Sequence, residues 1–315
     1  MPVEVVSLGE TMVLLEPTAA GPLEDVPAYR QRIGGAESNF AVGLARLGHR
    51  VAWISAVGDD PFGRLIRREI GKEGVDLSHL RTDPDWPTAV FFKERIGGVV
   101  KVYYYRKGSA VSHLGPDALD PAAFRGARVF HTTGISLALG ETLAATTRRA
   151  MELAREAGCT VCFDPNLRPS LWSIEQARAG LLPVIAGVDV LLSGLQEMRA
   201  LLETEEIGAI MAWCRERGVG QVVLKDGARG SHVLIDGEAR LVPPVEVGEE
   251  VDPVGAGDAF DAGFVSGLLR GWDPHRCALL GNIAGAYATQ TPGDYESVPT
   301  WEQAQAELER LGVRS

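Results

Sequence analysis

The chain has 315 residues, 45% of them hydrophobic, and a formal net charge of −11. That is enough apolar material for one large α/β domain or two smaller ones, and no charge run or Ser/Pro-rich tract divides it. The acidic balance argues against a nucleic-acid or anionic-membrane partner, whose phosphates would be repelled. Its apolar runs fall far short of the ~18 residues of a membrane span. The N-terminus reads as a strand with no basic leader, so the cytoplasm is the expected compartment.

Strand-like runs at Val3–Leu8, Arg50–Val57, Ala127–Thr132, Thr160–Phe163, Val188–Leu192 and Gln221–Leu224 alternate with helical patterns. The helical patterns cover 38–47, 61–73, 141–157, 174–186, 205–217, 256–270 and 274–289. This alternation predicts βαβ units, a mostly parallel sheet and helices on both its faces, within a single domain over 1–315. Ligands of such sheets bind beyond the carboxyl ends of strands, so the chemistry is sought in strand-to-helix loops. Two stretches, about 11–33 and 86–110, break the alternation and form an insertion. Within the second, Thr88–Arg95 and Val99–Arg106 read as an antiparallel hairpin joined at Ile96-Gly-Gly98.

Gly34-Gly35-Ala36 opens a helix whose core face is Phe40, Leu44 and Leu47. The glycines admit close approach of a ligand, and Asn39 offers a donor and an acceptor to hydroxyls, or else only caps the helix. Asp59 and Asp60 suit the N-terminus of the helix beginning at Pro61. In Tyr103-Tyr-Tyr-Arg106 the strand period puts Tyr104 and Arg106 on one face and Tyr103 and Tyr105 on the other. The first face suits a carboxylate, because a guanidinium is a planar fork of donors; the second suits packing on the domain or on a partner subunit. Cys159 and Cys162 have redox or zinc spacing but lie in an apolar strand with no second pair, and read as buried thiols. Asp164, Asn166 and Arg168 form a polar loop at a strand's carboxyl end. Asp164 suits magnesium or its waters, Asn166 a phosphate or ribose oxygen, and Arg168 a substrate anion; an Asp164–Arg168 ion pair without ligand is the alternative.

The most informative stretch is Asp252-Pro-Val-Gly-Ala-Gly-Asp-Ala-Phe260. Gly255-Ala256-Gly257 runs straight into a helix, so amide N–H groups and the positive helix end converge on one spot suited to an anion. Asp258, in the first turn, is placed to take a proton from an attacking hydroxyl. Together they make a phosphoryl-transfer constellation; the plain alternative is a glycine turn with an N-terminal helix carboxylate. No Walker A string occurs, and Phe260 stands where a dinucleotide fingerprint needs Gly or Ala, which counts against a dehydrogenase.

That stretch, with Gly34-Gly-Ala-Glu-Ser-Asn39, Arg46-Leu-Gly48 and Gly58-Asp-Asp-Pro-Phe-Gly63, resembles the ribokinase-like (PfkB) carbohydrate kinases, in the family's order and over nearly the whole chain. The resemblance implies a three-layer α/β/α fold with a small β-sheet lid that also serves for dimer contact. It implies ATP and Mg2+, with a monovalent cation as a further candidate. It puts Lys225, Gly227 and Gly230 against the nucleotide and its phosphates, Asn282 near adenine, and Asp294 within reach of the substrate. Glu197 matches the family's Asn-x-x-Glu, where the Glu organises magnesium and phosphate, but Gly194 stands in place of the Asn and leaves its part to Ser193, to water or to nothing. Within the family, the Gly-Gly-Ala-Glu-Ser-Asn, Tyr-Tyr-Arg-Lys-Gly-Ser-Ala and Asp-Pro-Asn-Leu-Arg-Pro-Ser-Leu-Trp strings are similar to kinases of 2-keto-3-deoxygluconate. The implied acceptor is therefore a sugar acid lying among Gly34, Asn39, Tyr104, Arg106, Arg168 and Asp294. A neutral-sugar kinase and a catalytically silent sugar-binding regulator remain the rivals.

Overall fold

Short runs rich in valine and leucine, each followed by an amphipathic run, fold as alternating strands and helices. The computed structural model describes residues 2–97 and 99–313. It begins with β1 (Val5–Leu8), β2 (Met12–Pro17), β3 (Tyr29–Gly34), α1 (Ala36–Arg46), β4 (Val51–Gly58), α2 (Pro61–Lys72), β5 (Leu80–Asp83), β6 (Val90–Ile96) and β7 (Val99–Tyr105). The middle holds β8 (Val129–Thr133), α3 (Gly134–Ala138), α4 (Glu141–Glu156), β9 (Thr160–Asp164), α5 (Ile174–Ile185), β10 (Val190–Gly194), α6 (Leu195–Leu202) and α7 (Ile207–Glu216). The chain closes with β11 (Gln221–Lys225), β12 (Ser231–Ile235), β13 (Glu238–Val242), α8 (Ala256–Leu269), α9 (Pro274–Ala288) and α10 (Trp301–Arg310). Among the described residues the large sheet runs β13-β12-β11-β10-β9-β8-β1-β4-β5. It is parallel from β11 to β5, and β12 and β13 extend one edge antiparallel.

Residue alternation along the strands builds a core on each face. Val6, Phe130, Val161, Leu191 and Val222 join the cluster that takes in α4, α5, α6 and α7. Their neighbours Val5, Val129, Cys162, Val190 and Val223 join the one that takes in α1, α2, α8 and α9. Helices thus cover both faces, as the pattern predicts. Cys159 lies in the first cluster and Cys162 in the second, so the two thiols point to opposite faces and form no redox or metal pair. Among the described residues no helix is long and apolar enough to cross a membrane.

The second sheet, β3-β2-β6-β7, is drawn from 12–34 and 90–105. Its β6–β7 hairpin pairs Phe91 with Tyr104 and Lys93 with Val102; Gly98 of the expected turn lies outside the described residues. Met12, Leu14, Ala89 and Phe91 fill one face of this sheet. Strand β3 ends at Gly34 and passes almost directly into α1, which ties the small sheet to the large one at the loop where a ligand is expected. Asp60 caps α2 by accepting from Gly63 N (2.7 Å), and its other oxygen accepts from Thr88 N (2.8 Å) at the root of the hairpin.

Candidate active site

Helix α8 begins on Gly255, whose φ of 80° lies in the left-handed region. A Cβ there would also stand 1.9 Å from the carbonyl oxygen of Asp294, so only glycine fits the turn and the contact together. No side chain caps this helix, which leaves its positive end for an external acceptor. Asp258 sits in the first turn and is almost fully buried. Its Oδ2 accepts from Asn39 Nδ2 (2.8 Å), and Asn166 Nδ2 stands 3.5 Å from its Oδ1. Burial pushes its carboxyl above the ordinary aspartate range, against the pull of the Asn39 hydrogen bond and the Arg168 charge. That makes it a stronger base than a free aspartate, rather than one held ionised by the helix dipole alone.

Behind Asp258, the carboxyl ends of three neighbouring strands meet. Asp164 ends β9, Gly194 ends β10 and Lys225 ends β11. Lys225 Nζ donates to Asp164 Oδ2 (3.0 Å) and Asp261 Oδ1 (2.9 Å) and stands 3.5 Å from the carbonyl of Gly257. Burial disfavours its charge, but Asp164 and Asp261 outweigh that and hold it protonated, while burial pushes the Asp261 carboxyl well above the ordinary range against the pull of Lys225. Burial likewise opposes the charge of Asp164, yet Lys225 keeps its pKa below the usual value. The ion pair formed in this loop is therefore Asp164–Lys225. Arg168 donates to the Leu167 carbonyl (3.3 Å) and acts on Asp258 and Glu197 through its charge. Asn166 has a φ of 43°, a left-handed position that asparagine tolerates, and bonds back to Asp164 through its amide N (2.9 Å). Among the described residues its buried Oδ1 has no hydrogen-bond partner.

Glu197 turns inward. Its Oε1 accepts from Leu167 N (3.0 Å), its Oε2 accepts from Gly194 N (3.3 Å), and Ser193 Oγ lies 3.4 Å away. Burial, helped by the Asp164 charge, lifts its carboxyl to about 7. Among the described residues no group of three or more His, Cys, Asp or Glu could cage a metal. A donor set of scattered carboxylates suits magnesium, which keeps its waters and binds largely through phosphates.

Toward the small sheet, a Cβ at Gly34 would lie 2.0 Å from Asp294 Oδ2, so residue 294 presses on both Gly34 and Gly255. Burial raises the Asp294 carboxyl to about 6, with Lys93 opposing. Arg106 is buried and pairs with Glu10 (Nε to Oε2 2.8 Å), whose Oε1 accepts from Ser109 Oγ (2.5 Å). Its guanidinium lies 5.6 Å from the centre of the Tyr104 ring, so the two share a face by ring contact rather than through the hydroxyl. Three residues stand apart from this cluster. Gly227 and Gly230 take the positive φ values of a turn between β11 and β12, and Asn282 spends its amide on the carbonyls of Val242 (3.2 Å) and Pro243 (2.8 Å). The structure adds Glu10, Lys93 and Asp261, which no local pattern in the sequence marks.

An uncapped helix end beside a buried carboxylate, at the crest of a parallel sheet and under a second small sheet, defines a phosphoryl-transfer enzyme of the α/β class. The model of the pfkB family carbohydrate kinases matches residues 3–301. The chain is 36% identical to a 2-dehydro-3-deoxygluconokinase of Thermoproteus tenax, covering 98% of this chain and 95% of the relative, and 36% identical to the one of Bacillus subtilis, covering 96% and 94%. It superposes on the PfkB protein of Polaromonas sp. JS666 with a TM-score of 0.88 at 36% identity, over 96% and 99% of the two chains. It also superposes on a Vibrio cholerae O395 fructokinase double mutant with bound fructose, ADP and potassium ion, with a TM-score of 0.83 at 28% identity over 98% and 99%. The chain belongs to the pfkB family of carbohydrate kinases and has the ribokinase-like fold.

Proposed function

We propose that the enzyme transfers the γ-phosphoryl group of ATP to the C6 hydroxyl of 2-keto-3-deoxygluconate, which yields 2-keto-3-deoxy-6-phosphogluconate and ADP. The observation that carries this reading is Asp258, held on Asn39 at 2.8 Å beside the uncapped start of α8. In this mechanism the acceptor lies among Gly34, Asn39, Tyr104, Arg106, Arg168 and Asp294, with its carboxylate toward the two arginines. Asp258 takes the hydroxyl proton as the oxygen attacks the γ-phosphorus in line, and the leaving oxygen departs with ADP. The N–H groups of 255–258 stabilise the charge gathered on the transferring group. Lys225, Gly227 and Gly230 and the α9 helix around Asn282 flank the nucleotide, with Lys225 acting through Asp164 and the Gly257 carbonyl rather than by reaching out. Magnesium, when bound, neutralises phosphate charge; Asp164, Asn166, Ser193 and Glu197 would order its waters. A monovalent cation is a further candidate, in keeping with the potassium of the fructokinase structure.

The small sheet serves as a lid that keeps water from the phosphoryl group. Its other face carries Phe92, Tyr103 and Tyr105 around a depression of about 360 Å3, with Tyr105 66% exposed. This face is the proposed contact of a homo-oligomer. One observation favours a neutral sugar instead: Arg106 is already neutralised by Glu10. ADP release measured side by side with 2-keto-3-deoxygluconate, fructose, ribose and adenosine decides between them. The proposal expects the keto acid to have the highest kcat/KM; a preference for fructose overturns it, and ligand binding without ADP release points to a silent regulator.

A further inference from the structure

Lys93 lies in the middle of β6, on the small sheet, where the strand period turns it to the same face as Phe91 and away from Phe92 and Glu94. Its side chain is only 4% exposed, and Nζ stands 3.3 Å from Asp294 Oδ1 and 3.8 Å from Asp252 Oδ2. Burying an ammonium is costly unless carboxylates receive it, and the face it lies on is otherwise filled by Met12, Leu14, Ala89 and Phe91. The lysine therefore does something that packing does not require. The carboxylate it meets is the one that presses on Gly34 at the start of α1 and whose backbone presses on Gly255 at the start of α8. One ammonium from the lid thus reaches the junction of the sugar loop and the phosphate loop.

We propose that Lys93 is a positioning residue for phosphoryl transfer: its ammonium keeps Asp294 ionised and aimed at the acceptor sugar, and seats the small sheet on the site. The inference deepens the kinase reading and rests on its assignment of Asp294 to the acceptor. The groups facing Asp294 set the balance. Burial favours its neutral form, Asp258 and Glu296 add negative charge, and Lys93 is the opposing cation. Glu296 is itself held by Arg32 at 2.5 Å, and Asp252 shares Lys93. Without the ammonium, Asp294 is a carboxylic acid at neutral pH; it donates where a sugar hydroxyl needs an acceptor.

The test uses the full chain with Lys93→Met, Lys93→Arg, Asp294→Asn and the double variant Lys93→Met/Asp294→Asn. ADP release is followed between pH 5.5 and 9 with 2-keto-3-deoxygluconate and, separately, with fructose. At pH 7, Lys93→Met is expected to raise KM for the accepted sugar about 10-fold or more, the size of one lost hydrogen bond to a charged group. Its kcat changes far less, and the acid limb of kcat/KM moves up by about one pH unit or more. Lys93→Arg stays close to the wild type, and the double variant is no worse than Asp294→Asn alone. A carbon-13 NMR titration of the Asp294 carboxyl in the unliganded wild type and Lys93→Met reads the same shift with no substrate. An unmoved Asp294 titration, an equal fall in kcat and rise in KM at every pH, or multiplying losses in the double variant overturns the proposal. Turnover of fructose but not of the keto acid overturns only the choice of substrate and leaves the Lys93 measurement readable.

Discussion

Asp258 unites two features that rarely meet in one carboxylate: a place in the first turn of a helix, which favours its charge, and near-complete burial, which resists it. The outcome is a raised pKa in a group that still holds two asparagine amides within reach. Asp258→Asn keeps the shape and removes the proton acceptor, so kcat is expected to fall by at least ~10²-fold while ATP affinity measured by calorimetry hardly changes. Near-normal turnover would remove Asp258 as the base. At Arg168 the expectation differs: Arg168→Ala raises KM for the keto acid and leaves the KM for fructose alone. Equal effects on both sugars would mean that Arg168 reads no carboxylate. Asp258 was legible because a Gly-Ala-Gly turn leads into its helix, and Arg168 because it closes a polar cluster at the carboxyl end of an apolar strand. Lys93 and Glu10 were not, because a single charge in a strand acquires meaning only from its partners: Asp294, 201 positions away from Lys93, and Arg106, 96 positions from Glu10.

At the level of elements, the Lys225 ammonium joins the end of β9, the end of β11 and the first turns of α8. Both carboxyls on it are buried, and burial pushes that of Asp261 well above the ordinary range, so removing the cation strands the Asp164 charge and leaves Asp261 without its donor rather than deleting one weak contact. Lys225→Met is expected to lower unfolding stability by ~3 kcal/mol, read as the denaturant midpoint; Lys225→Met/Asp261→Leu should recover part of the loss. If the single variant unfolds at the wild-type midpoint, the triad holds nothing together. The sequence could not place this tie, since Lys225 taken alone reads more readily as a solvated surface residue. It did place the alternating strands and helices, because their apolar periods are long and bounded by glycine. Strand β5, four residues at the sheet edge, carries too short a pattern, and α6 was read only as a motif. Helix α10 was missed although Thr300 and Gln303 form a capping box that the sequence displays.

Across the whole molecule, the buried titratable groups set how stability changes with pH. Glu37 is fully buried under Gly9, with Oε1 accepting from Thr133 (2.7 Å) and Ser136 (2.8 Å) and Oε2 without a hydrogen-bond partner among the described residues. Burial lifts its carboxyl to about 7 against the pull of those hydroxyls, and Glu197 and Asp294 are raised to about 7 and about 6. A carboxyl raised in the folded state binds its proton more tightly there than in the unfolded chain. Its support is complete below the unfolded value near 4 and is lost as pH climbs through 6 to 7. His49 and His131 act the other way: burial lowers them to about 4 and about 3, so they cost stability as pH falls below the unfolded value of 6.5. Between pH 6 and pH 8 the three carboxyls lose more support than the two histidines regain as they become neutral in the unfolded chain. The unliganded enzyme is therefore expected to melt at a lower temperature at pH 8 than at pH 6. Glu37→Gln keeps the acceptor for Thr133 and Ser136 and cannot ionise, so it should match the wild type near pH 5 and gain up to about 3 kcal/mol by pH 8. In melting temperature that is a gap of up to roughly 5 °C opening with pH. Parallel melting curves for the two proteins from pH 5 to pH 8 would show that Glu37 is already ionised in the folded chain and that the hydroxyls around it outweigh its burial.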